Sequence, residues 1–149
     1  MDIFGMKRVR KLRVHWPVNG ATLARLTAGD VRVFEEDPSL AMLLAALAEK
    51  PELGDFGIYR HVFESSFGFE GFTVAPGANP TLGSVGGSSV SPTFVLTSYF
   101  DAGMPAAAVE NLLQTIMDIH PWEVPVLEIS DPVSISTGRT ADRQEKVMA

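Results

Sequence analysis

The sequence predicts an α+β fold: a small antiparallel sheet with two helices on one face, in the ferredoxin-like order βαββαβ, preceded by an extra N-terminal strand. Two stretches carry apolar residues at helical spacing, one beginning at Asp37-Pro38 and one at Met104-Pro105. Around them lie segments rich in β-branched and aromatic residues. From 31 to 130 the predicted order is strand, helix, strand, strand, helix, strand.

Residues 7–16 alternate, with Leu12, Val14 and Trp16 on one face and Lys11, Arg13 and His15 on the other. That is the pattern of a half-buried strand. Turn signals at Asn19-Gly20 and Gly29-Asp30 flank a short helical turn. "VRVFEE" (31–36) reads as a second strand, and either 10–16 or 31–36 could be the first strand of the repeat. Asp37 can cap free amides, and Pro38 suits the first helical position. Leu40, Leu43, Leu44 and Leu47 then form the stripe that packs on the sheet, and Pro51 and Gly54 mark the helix end. "DFGIYRHVFESS" (55–66) and "FVLTSYF" (94–100) read as strands. The Gly-, Pro- and Ser-rich connection between them, 71–92, is long for a compact domain. In the second helix Val109, Leu112, Leu113 and Ile116 share a side. Pro121 disfavours helical geometry at His120, so the helix stops there and the last strand is expected from Trp122 or Glu123. The expected organisation is a single domain over 1–133, with its core at 31–130. Beyond it, 134–149 is expected to be a flexible extension that adds at most one short strand.

The 149 residues are enough to bury a sizeable core, and 46% apolar with 20% charged is ordinary globular composition. No apolar run approaches bilayer length, and the basic N-terminus lacks the features of an export signal, so a cytoplasmic, membrane-free protein is expected. Zero cysteines excludes disulfides, thiolate nucleophiles and Cys-based zinc sites. Charge is uneven: Lys7, Arg8, Arg10, Lys11 and Arg13 crowd the N-terminus, whereas no lysine or arginine lies between Arg60 and Arg139. Eight acidic side chains occupy that gap, a composition that disfavours nucleic-acid binding. The basic cluster is expected to be a solvated strand face or to pair with acidic protein surface.

Three segments in order carry a resemblance: "GIYRH" (57–61), "GFTVAPGANPTLGSVG" (71–86) and "HPWEVP" (120–125). Together they resemble the YqfO-type PII/CutA-like domain found inserted in NGG-interacting-factor-like proteins. The last segment alone is also similar to the CutA divalent-cation-tolerance family. The likeness spans about 56–130. It implies a ferredoxin-like fold, homo-oligomers (trimers above all) and a regulatory or binding role towards a protein partner or small effector, with no catalytic site. Val62 and Trp122 depart from the usual pattern, which has Cys and Tyr there.

The candidate metal ligands are His120 and Glu123, with His61 if the fold brings it near. Imidazole and carboxylate suit a divalent transition metal, giving metal binding or tolerance as the alternative function. The plainer reading has His120 bonding a backbone carbonyl. Gly77, Gly83, Gly86 and Gly87 could form an anion nest, but no Gly-Lys-Ser/Thr follows, and turns lying on a partner subunit explain them as well. "GSVGGSS" lacks the spacing of a nucleophile elbow, and no histidine pair stands at i,i+4. The expectation is therefore a non-enzymatic module.

Overall fold

The computed structural model describes residues 4–139. It is a mixed α+β fold with one antiparallel sheet of five strands and four helices. Strand β1 (Phe4–Pro17) is the spine. On one side its residues 9–17 pair with β3 (Ser88–Asp101), and β3 pairs in turn with β2 (Glu64–Thr73). On the other side β1 pairs first with β5 (Val133–Arg139) and then with β4 (Leu127–Ile129). The path across the sheet is β2-β3-β1-β4, every pair antiparallel.

The alternation read in β1 sets the layers. Leu12, Val14 and Trp16 are fully buried and join one apolar cluster with Phe94, Leu96 and Phe100 of β3. Helices α1 (Gly20–Thr27), α2 (Val33–Glu36), α3 (Pro38–Ala48) and α4 (Ala106–Ile119) supply Leu26, Val33, Leu40, Leu43, Leu112 and Ile116 to that cluster, so all four cover the same face. Truncating any of the fully buried leucines to alanine would cost about 2–5 kcal/mol. Trp16 Nε1 donates to Ser39 Oγ at 2.8 Å, which ties the β1 end to the start of α3. Asp37 caps α3 as expected, accepting from the amides of Ser39 and Leu40. On the opposite, polar face Arg13 pairs with Glu128 at 3.6 Å, and Tyr99 donates to Glu64 at 2.6 Å. The basic strand thus pairs in part with acidic surface of its own chain. Among the described residues no helix is long and apolar enough to cross a membrane.

Several expectations are corrected. Residues 31–36 are not a strand: successive amides from Val33 to Glu36 bond back to Asp30, Val31 and Arg32, giving α2. Asp30 closes this turn by accepting from Arg32, while Arg25 clamps the same carboxylate at 2.9 Å. The first strand of the fold is therefore β1, and the core does not begin at 31. It is not an extra strand. Residues 54–63 are a turn-rich excursion with positive φ at Gly54, Gly57 and His61; the strand starts at Glu64 and runs on to Thr73. A Cβ at Gly54 would overlap the Val62 backbone, so this tight crossing requires glycine. The last predicted strand begins at Leu127, not at Trp122 or Glu123. The one short strand allowed after Pro132 forms as β5 and joins the sheet; the rest of the expected flexible extension, 140–149, lies outside the described residues.

Candidate functional site

The site is built at the corner after α4. Pro121 holds His120 in extended geometry (φ −69°, ψ 133°), which ends the helix and turns the imidazole towards β1. The Trp122 amide donates to His120 Nδ1 at 3.0 Å. Nδ1 is thereby an acceptor, which places the proton on Nε2, and that nitrogen donates to the His15 carbonyl at 2.6 Å. The carbonyl lies on the β1 edge, one step beyond the end of β4 pairing, where the His15 amide bonds to Val126. The ring also meets Trp16 edge-on, centroids 4.8 Å apart. Burial pushes the His120 pKa down; the His15 carbonyl and the Glu70 carboxylate oppose that shift, and nearby His15 adds to it.

Further contacts fasten the Gly-rich connection, 74–87, and strand β2 to this corner. The Asn79 amide donates to both Glu123 carboxylate oxygens (3.0 and 3.1 Å), and Thr81 Oγ1 donates to the Pro121 carbonyl at 2.8 Å. Trp122 meets Phe72 of β2 edge-on at 4.7 Å. Gly77, Gly83 and Gly86 take positive φ in the turns of this connection, and the Val74 and Gly86–Gly87 backbones bond to each other at its base. Between connection, corner and β2 lies a half-open hollow of about 350 Å³. Phe72, Val74, Leu82, Trp122 and Val126 give it mostly apolar walls, and Glu70 and Glu123 are among the residues that line it.

The structure brings His120 and Glu123 to the same corner but separates their functions. Both ring nitrogens of His120 are occupied by backbone groups, and Glu123 holds the Asn79 amide. His61 is elsewhere, exposed at φ 54° on the rim of a second hollow of about 200 Å³ with Leu44, Leu53 and Phe63. Among the described residues no group of three or more His, Asp or Glu side chains is placed to hold a metal ion. The plainer reading of His120, a cap on a backbone carbonyl, is the one realised. Sequence reasoning missed Glu70 and Phe72 as walls of the hollow. Their period-two placement is a signal in the sequence, but the strand read at 55–66 stops short of them.

No protein-family model matches this sequence, and no curated protein does at a significant level. A solved structure described as the crystal structure of a Bacillus cereus protein related to NIF3 is similar in fold, with TM-score 0.52 and 16% sequence identity. The match covers 89% of this chain and 27% of that one, so this chain corresponds to about a quarter of the other protein. At that identity the likeness is one of fold.

Proposed function

We propose that this chain is a ferredoxin-like module of the YqfO-type PII/CutA-like kind, non-enzymatic, acting as a homo-oligomer that binds a protein partner or small effector. The strand path β2-β3-β1-β4 with all pairs antiparallel is the order of that fold, and the likeness to a NIF3-related chain agrees with it. The observation that carries the reading is the edge strand β2. Ten residues long, it ends the sheet with one side unpaired among the described residues, and Phe67 and Phe69 on it are 43% and 69% exposed. Long apolar edges of this sort are association surfaces, because a second chain can satisfy the free amides and carbonyls while burying the side chains.

Light scattering on a gel-filtered sample at micromolar concentration tests this. A trimer mass is the expected result, with Phe69→Lys shifting it to the monomer. A wild-type monomer throughout that range overturns the reading. Metal binding through His120 and Glu123 remains the alternative. It requires the metal to displace the Trp122 amide or the His15 carbonyl, and zinc or copper titration of wild type against His120→Ala separates the two.

A further inference from the structure

We infer that the hollow beside the corner is a binding site for a small organic cation, an ammonium group carrying an apolar or aromatic body. This names a chemical class for the effector in the reading above and rests on the chain being a binding module. The volume of about 350 Å³ lies at the small end of the range for ligand pockets, roughly 300–1,000 Å³. Phe72 and Trp122, edge-on at 4.7 Å, make an aromatic corner of the wall. Aromatic faces attract cations through the ring quadrupole, and they also cover the apolar body of such a ligand.

Charge points the same way. Glu70 and Glu123 both line the hollow, and among the described residues no lysine or arginine does. Glu123 is held by a neutral backbone amide, so its charge is not cancelled. Glu70 is half-buried, and none of the ion pairs among the described residues includes it. The sequence supplies no cation between Arg60 and Arg139, and Arg13 of the basic strand is paired with Glu128. His120, behind the wall, has its ring in the neutral hydrogen-bonding form. Two acidic residues beside aromatic rings, with no lysine or arginine among the described lining residues, favour a cationic guest over a neutral or anionic one.

The test uses 2-phenylethylammonium as probe and 2-phenylethanol as its neutral counterpart, with calorimetry and tryptophan fluorescence as readouts at low salt. The expected result is one saturable site per chain with a Kd of about 1 mM or tighter, at least about tenfold tighter for the ammonium than for the alcohol. Glu70→Gln should reduce that preference to less than about threefold without changing the melting temperature much. No saturable binding up to about 10 mM, or equal binding of alcohol and ammonium, overturns the proposal. So does a Glu70→Gln protein that keeps the full preference. Should that variant not fold, the wild-type comparison decides alone. Oligomer mass is measured separately, so a blank titration on a trimer rejects the cation site and leaves the assembly standing.

Discussion

Replacing His120 with alanine removes two hydrogen bonds and an aromatic contact while leaving their partners in place. The Trp122 amide loses its acceptor, and the His15 carbonyl loses its donor on the β1 edge. A buried polar group left unsatisfied costs about 1–3 kcal/mol; both groups are only partly buried, so each belongs near the low end. Loss of the edge-on contact with Trp16 adds about 0.5–1.5 kcal/mol. The sum is about 2–4 kcal/mol. For a chain of this length each kcal/mol moves the melting temperature by about 2–4 °C, so His120→Ala should melt about 5–15 °C lower.

The same ring gives the effect a pH signature. In the native state Nδ1 must accept from Trp122, so protonating it breaks that bond, and burial already pushes the pKa down. The unfolded chain therefore binds the proton more readily than the native one, and stability rises with pH. The stabilisation by His120 is complete above the unfolded value of about 6.5 and is lost as pH falls through the lower folded value. Thermal melts of wild type and His120→Ala at pH 7.5, 6.5, 5.5 and 5 should converge towards the acid end. A difference below about 2 °C at neutral pH, or one that stays constant across the series, would refute the assignment of His120 as the pin of this corner.

Two other expectations follow from named contacts. Glu123→Ala removes the acceptor of the Asn79 amide, so hydrogen exchange at Asn79 should quicken by about tenfold or more while the melting temperature falls less than in His120→Ala, because that contact is exposed. Burial and the Glu64 carboxylate push the Tyr99 phenol up to about 12; ultraviolet titration should find it there, and Glu64→Gln should bring it down.

Elements whose signal is local are legible in the sequence. Asp37-Pro38 announces α3 because cap and proline act within three residues. The α4 stripe announces its buried face, and Pro121 stops the helix by a clash with its immediate neighbour. Segments decided by distant partners are not. Val31 and Val33 suggest a strand, yet no neighbouring strand is available to them, and the Arg25–Asp30–Arg32 cluster closes a helical turn instead. Tyr59 and Val62 have strand-like character, but the Gly54 amide bonds to Tyr99 and the Val62 amide bonds back to Gly54, which folds 54–62 into a loop. Strand β5 carries only a weak local signal, with Gly138 and polar residues around it, and the free edge of the β1 N-terminal half supplies its partner.

The corner shows how two segments far apart in sequence can depend on each other. A connection as long as 74–87 loses much conformational freedom on ordering, and its glycines raise that cost. Of its larger apolar side chains only Val74 is buried, whereas Leu82 and Val85 are 43% and 55% exposed. The compensation comes from 121–126, which offers a carboxylate to the Asn79 amide and a carbonyl to the Thr81 hydroxyl, while the Trp122 indole packs on Phe72 of β2. Those groups point at the connection only because Pro121 ends the helix where it does and His120 locks the turn to β1. The residues that looked most like metal ligands are thus held by backbone amides and a carbonyl, and the chemistry of the site passes to the walls they position. It follows that loosening His120 should alter the hollow as well as the stability. A cation that binds there should in turn raise the melting temperature of wild type more than that of His120→Ala.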